Sequence, residues 1–335
     1  MQTNSARTLQ TLSTMALLAA LGACGSGSAP PAPALSTEAR AQAATATAQT
    51  HAACVAIAPF YWEIGDAGGV LASGATGDGS IVRSSTFNIA SATKWLFGAY
   101  VVEKRNGLVN AGDIAALTMS SGYTSFGILS CSLLLSGDPT VSDCFTVGDN
   151  ETYTADHDGK FFYNGGHFQK WGVDNGMGAM TSAMLTDEFK SVLGTDAALS
   201  FSTPQLAGGA VGSAESYARF LTRVLNNELR IGALLGAHAV CTLPGVCATA
   251  VSSPAPAPYE YSLGHWVESD SLGDGSFSSA GAFGFYPWID ASKKYYGIVS
   301  RHVTDASSGG EGGVGWQSAQ CGAQLRKAFM SGQSQ

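Results

Sequence analysis

The sequence predicts a mixed α/β fold, in which one antiparallel sheet is built from both ends of the chain, helices flank it and a helical lobe is inserted between. Two clusters of strand signals and a helix-rich middle carry that expectation. Val55 to Thr76 alternates apolar residues with glycine and polar turns, which reads as a hairpin of two strands. Near the other end, Tyr261 to Trp266, Ala282 to Tyr286 and Tyr295 to Ser300 read as three further strands, and a helix from about Trp316 to Met330 closes the domain. In the middle, Ser213 to Leu225 has a capping-box opening and apolar residues at helical spacing. The sheet lobe is expected over about 51–107 and 255–335, and the helical lobe over about 108–254.

The chain begins with a segment that is not part of this domain. Residues 1–23 hold one basic residue, Arg7, and a short apolar run, Met15 to Leu21, too short to span a bilayer, which reads as a secretion signal. The run ends in Leu21-Gly22-Ala23-Cys24, which resembles the lipobox of bacterial lipoproteins. That resemblance implies a lipidated Cys24, and Gly25, with no aspartate after the cysteine, implies delivery to an outer membrane. Residues 24–50 are rich in Ala, Pro, Ser and Thr with almost no large apolar side chains. They are expected to be a disordered tether.

Seven cysteines in an exported chain point to disulfides. With Cys24 lipidated, six remain, which allow fifteen pairings. Cys131 with Cys144 and Cys241 with Cys247 would each staple a short loop, and Cys54 with Cys321 would join the two ends of the domain. No pair has Cys-x-x-Cys spacing, so no metal is expected. The net charge is -8 and no basic cluster occurs, which excludes nucleic acid and an anionic membrane surface as partners.

The stretch that carries chemistry is Phe87-Asn88-Ile89-Ala90-Ser91-Ala92-Thr93-Lys94. Apolar residues recur at helical spacing after Lys94, and Asn106-Gly107 is a stop signal, so Ser91 should open a helix. Lys94, three residues on, then lies one turn further along the same face, within reach of the Ser91 hydroxyl. A serine hydroxyl needs a neighbouring base to become a nucleophile, and a lysine serves as that base once burial lowers its pKa. At a helix start, the N–H of Ser91 is also placed to form half of an oxyanion hole.

Four stretches, in order, resemble the serine β-lactamase and penicillin-binding superfamily, in its class C, DD-peptidase, family VIII esterase and aminohexanoate-oligomer hydrolase branch. Phe87 to Lys94 is similar to the nucleophile motif, and Leu117-Thr118-Met119-Ser120-Ser121-Gly122-Tyr123 resembles a Leu-x-x-x-Ser-Gly-Leu segment. Phe161-Phe162-Tyr163-Asn164-Gly165-Gly166 resembles the catalytic tyrosine motif, and Ala207 to Glu215 resembles an Ala-Gly-Gly helix entry. The match covers about residues 54–330. It implies a β-lactamase/DD-peptidase-like fold, with Tyr163 as the partner base, whose phenolate or hydroxyl, sharing a proton with Lys94, would activate Ser91 and later protonate the leaving group. Asn164 would touch substrate, although it follows the tyrosine directly, whereas the common motif has an intervening residue. Ser279-Ala280-Gly281 best matches the third motif, so Ser279 and Gly281 would lie along the substrate and the N–H of Ala282 would complete the oxyanion hole. The lysine of that motif is missing, which turns the expectation away from penicillins and towards esters or neutral amides. Arg301 and His302 end the next strand and are possible substitutes, though a surface place is expected for them.

Other chemistries find no support. There is no His-Glu-x-x-His, no Gly-x-Ser-x-Gly elbow, no P-loop and no dinucleotide fingerprint in strand-to-helix context, so no cofactor is implied. The expectation is an exported serine hydrolase of the cell envelope, lipid-anchored, acting on a small ester or amide through an acyl-enzyme. Two other readings stay open, a catalytically silent envelope binding protein on the same fold and a true β-lactamase or DD-peptidase.

Overall fold

The computed structural model describes residues 35–127, 129, 131, 135–194, 199–269, 273–304 and 312–335. The signal segment, Cys24 and the first part of the expected tether lie outside the described residues. Helices α1 (Thr37–Thr50) and α2 (Ala52–Val55) lead into the hairpin β1 (Tyr61–Asp66) and β2 (Gly69–Ala75). After β3 (Phe87–Asn88), a 3-10 turn over Ala90–Ala92 runs into α3 (Thr93–Lys104), followed by α4 (Ala111–Leu117) and β4 (Ser121–Tyr123). Next come α5 (Val141–Thr146), β5 (Tyr153–Asp158), β6 (Phe161–Phe162), α6 (Gly166–Asp174), α7 (Ser182–Leu193), β7 (Ser200–Phe201), β8 (Ala210–Gly212) and α8 (Ala214–Leu225). The last third holds β9 (Val240–Cys241), β10 (Ala250–Ser252), β11 (Glu260–Tyr261), β12 (Trp266–Glu268), β13 (Ser276–Ser278), β14 (Tyr286–Ile289), β15 (Tyr295–Ser300) and α9 (Val314–Ser331).

Eight strands form one antiparallel sheet in the order β2-β1-β15-β14-β13-β12-β11-β9. The sheet therefore closes where the two ends of the sequence meet, with Tyr61 opposite Ser300 and Asp66 opposite Tyr295. The hairpin, the last strand and the closing helix fall where their sequence pattern places them. Helix α3 is buried from Thr93 to Val102 on every face, as a helix apolar all round must be. It approaches the sheet closely because two glycines meet there. A Cβ on Gly98 would lie 2.2 Å from the Leu263 carbonyl oxygen, and one on Gly264 would lie 2.4 Å from that of Lys94.

That contact accounts for one difference from the expected strands. Tyr261 to Trp266 is two short strands, β11 and β12, joined by a turn through Gly264 at φ +82°. Ala282 to Phe285 is likewise a turn, closed by hydrogen bonds from Gly281 N–H to the Phe285 carbonyl and from Gly284 N–H to the Gly281 carbonyl. The strand pattern there belongs to β13 and β14 on either side. The edge strand β9 comes from within the span expected to be helical.

Residues 37–50, expected to be part of a disordered tether, instead form α1, which packs on α9. The composition argument failed because the partner surface accepts small side chains. Ala43, Ala44, Thr47 and Ala48 make a buried stripe at positions i, i+1, i+4 and i+5, and alanine is the best helix former. Ser36 caps the helix by accepting from the Ala39 N–H. Arg40 donates to the carbonyls of Phe329 and Met330, which lie in the last turn of α9.

All three expected disulfides are formed: Cys54–Cys321, Cys131–Cys144 and Cys241–Cys247. They fit an oxidising compartment. Among the described residues no helix is long and apolar enough to cross a membrane.

A chain begun at residue 51 should fold but lose the α1 contact. We expect its thermal midpoint to fall by roughly 5 °C or more relative to a chain begun at residue 35, measured by differential scanning calorimetry.

Candidate active site

The turn that holds Ser91 is set by backbone geometry that the sequence alone does not display. Ala90, immediately before Ser91, has φ +45°, in the left-handed region that residues other than glycine rarely adopt. It is held there from both sides. Asn88 Oδ1 accepts from the Ala90 N–H at 2.7 Å, and the Ala210 carbonyl accepts from the Ile89 N–H at 3.0 Å. Ser91 thus sits on the 3-10 turn that feeds α3, and Lys94 is on the first turn of that helix.

Lys94 Nζ lies 2.9 Å from Ser91 Oγ and 2.8 Å from the Ala207 carbonyl oxygen. Only 5% of the lysine is exposed, and among the described residues no carboxylate is paired with it. Burial lowers its pKa to about 7, so a neutral amine is accessible at physiological pH. In that form one N–H stays on Ala207 and the lone pair is available to the Ser91 proton. Ala207 opens the Ala-Gly-Gly segment, whose part in the site had no local signal. It anchors the lysine from more than a hundred residues away.

Tyr163 reaches the same serine from the end of β6. Its backbone N–H donates to the Ser252 carbonyl, and Phe162 N–H donates to that of Met119, so β10 and the Ser-Gly segment flank the tyrosine strand. The phenol ring lies 4.8 Å from Lys94 Nζ, centroid to nitrogen. Burial raises the Tyr163 pKa to about 12, opposed by a hydrogen bond with Ser91. At neutral pH the phenol therefore keeps its proton.

The third motif lies opposite. Ser279 Oγ donates to the Ser91 carbonyl at 3.0 Å, which holds the strand end against the nucleophile turn. Gly281 is required there, because a Cβ would lie 2.2 Å from the Ile89 carbonyl oxygen. Gly281 and Ala282 line one cleft together with Ser91 and Tyr163, a cavity of about 220 Å³. Its remaining walls are Trp266, Tyr259 and Trp316, which the sequence had not singled out for the site, with Tyr286 and Glu268 at its base.

Asn164 is not among the residues that line this cleft. Its Oδ1 accepts from the N–H groups of Phe126 and Gly166, and its Nδ2 donates to the Phe126 carbonyl, so in this structure the amide holds a loop rather than facing substrate. His302 stacks on Phe87 at 5.0 Å, and Arg301 lies 3.4 Å from Gln317 on α9. Neither takes the place of the missing lysine in the cleft lining. Among the described residues no group of three or more His, Cys, Asp or Glu side chains is placed to hold a metal ion.

The sheet, the α3 nucleophile turn and the flanking tyrosine strand define the fold of the serine β-lactamases and penicillin-binding proteins. Solved structures with this fold include a putative β-lactamase from Bacteroides dorei DSM 17855, at 18% identity and a TM-score of 0.57, covering 80% of this chain and 93% of that one. EstCE1, a hydrolase with promiscuous acyltransferase activity, is 13% identical with a TM-score of 0.60, covering 88% and 99%. The D-amino acid amidase of Ochrobactrum anthropi SV3 is 10% identical with a TM-score of 0.62, covering 87% and 98%. No protein-family model and no curated protein matches the sequence.

Two outcomes test the lysine. Labelling of Ser91 by a neutral fluorophosphonate, followed by mass spectrometry, should speed up about tenfold per pH unit up to about pH 7 and level off above it, as Lys94 loses its proton. Lys94→Met should abolish that labelling yet raise the thermal midpoint at pH 7, since it removes the cost of burying a charge. The sign follows from linkage. The unfolded lysine holds its proton up to about 10.5 and the folded one only to about 7, so wild-type stability grows with pH across that window. The advantage of the methionine variant should shrink from pH 7 to pH 10.

Proposed function

We propose that this protein is a serine hydrolase that cleaves an ester or neutral amide through an acyl-enzyme. The observation that carries the reading is the buried Lys94 amine, 2.9 Å from Ser91 Oγ and braced on the Ala207 carbonyl, at a cleft that Tyr163 also lines. A silent binding protein has no use for an uncompensated buried lysine beside a serine.

In this reading the steps are as follows. Ser91 Oγ attacks the carbonyl carbon as its proton passes to Lys94. The charge that develops on the carbonyl oxygen is received by the backbone N–H groups of Ser91 and Ala282. As the bond to the leaving group breaks, Tyr163 protonates the departing oxygen or nitrogen and regains a proton from Lys94. Water then attacks the acyl carbon by the same route in reverse and frees Ser91.

Selectivity against penicillins and peptidoglycan stems rests on charge. Those substrates present a carboxylate, and among the described residues no Lys, Arg or His side chain lines the cleft. The internal segments outside the described residues, such as 270–272 and 305–311, contain no basic residue either. We further propose that the protein acts in the cell envelope, anchored by lipid at Cys24. With α1 folded, only the residues between Cys24 and Ser36 are left as a spacer.

The test is intact mass after brief exposure to a fluorophosphonate and, separately, to a penicillin. We expect one adduct from the fluorophosphonate, none from the penicillin, and none from either in Ser91→Ala. A stable penicillin adduct would return the protein to the cell-wall enzymes, and no adduct from either on folded protein would leave the silent binder.

A further inference from the structure

The cleft extends past Ser91 into a pocket whose make-up the hydrolytic steps do not require. Tyr163 stacks on Trp266 with centroids 5.4 Å apart and planes at 19°, forming one wall. Tyr259 and Trp316 form another, with centroids 5.8 Å apart. Ala255, Ala280 and Ala319 leave the space between them open. Trp316 is brought to the rim because α9 starts hard against the third motif, where a Cβ on Gly315 would lie 2.6 Å from the Gly281 carbonyl oxygen.

The base of the pocket is electrically satisfied. Among the described residues Glu268 is the one charged side chain in the lining, and it is 1% exposed. Its carboxylate accepts from Ser278 Oγ, Tyr286 Oη and Arg326 Nη2, each at 2.6 Å. Arg326 is itself fully buried and also donates to Asp274. A buried carboxylate paired in this way offers little free charge to a ligand, and a charged group entering the pocket would lose its water with no partner in return.

Resting on the hydrolase reading above, we propose that this pocket receives the leaving group, and that the leaving group is an uncharged aromatic alcohol or amine of about one ring. The side is fixed by Tyr163. The phenol that protonates the departing atom is also a wall of the pocket, so the departing group lies against Tyr163 and Trp266. Flat apolar rings on two sides favour an aromatic guest over an aliphatic one of equal size. Trp266 and Trp316 are then the residues that set specificity.

The experiment compares four acetate esters of primary alcohols, whose leaving groups are similar in reactivity: 2-phenylethyl, butyl, 4-(trimethylammonio)butyl and 3-carboxypropyl. Acetate release by the intact protein gives kcat/KM for each. The 2-phenylethyl ester should exceed the butyl ester by about tenfold or more and both charged esters by a larger factor. Trp316→Ala should bring the phenylethyl-to-butyl ratio close to one, whereas Trp316→Phe should keep most of it, a rescue that a general loss of folding would not give. Equal rates across the series, preference for a charged ester, or a Ser91 adduct with no turnover of any of the four would overturn the pocket assignment and leave the hydrolase standing. Neither turnover nor a fluorophosphonate adduct would remove both.

Discussion

The arrangement turns on one costly act of burial. An ammonium group withdrawn from water beside an uncharged serine and the Ala207 carbonyl is unstable as a cation, and burial brings the Lys94 pKa down to about 7. A carboxylate near enough to pair with Lys94 would restore the ordinary lysine pKa and silence the site. The Tyr163 ring lies beside the amine, and burial pushes that phenol in the direction that keeps it neutral.

Much of the backbone around the site is shaped to keep that amine enclosed. The Gly98 and Gly264 contact lets the β11–β12 turn rest directly on α3 behind Lys94. Ala90 is held in an unfavourable conformation by Asn88 and Ala210, which orients Ser91 into the cleft instead of along the helix surface. The Tyr217 hydroxyl donates to the Ala92 carbonyl and Thr93 Oγ1 accepts from the Ala210 N–H, so α8 and β8 close the turn from behind. Enclosure also explains the rigid polar clusters elsewhere. His265, whose pKa burial lowers to about 4, stacks on Trp95 and accepts from the Gly236 N–H, as a neutral core residue does.

What was legible in the sequence was what is local. Ser91 and Lys94 are three residues apart on a helix, so spacing alone brings them together, and short cysteine loops limit their own pairings. Tyr163 was found only through resemblance, because β6 is two residues long and carries no periodic signal of its own. The α1 helix was hidden by composition. Alanine buries little area per residue, and only the cluster it joins with Leu325 and Phe329 of α9 shows that it suffices. The aromatic pocket was invisible for another reason. Tyr259, Trp266 and Trp316 come from separate elements, and in sequence each looks like one more core residue. Asn164 illustrates the converse, a motif position whose amide the structure commits to the Phe126 loop.

The link between Cys54 and Cys321 makes the domain a closed hoop of covalent bonds, with α1 and the last residues lying together outside it. Even the Gln335 N–H donates to Thr47 Oγ1. A pull applied between the two ends of the chain is therefore borne across that one bond and the α1–α9 seam. The sheet, the helical lobe and the cleft hang from the hoop without tension.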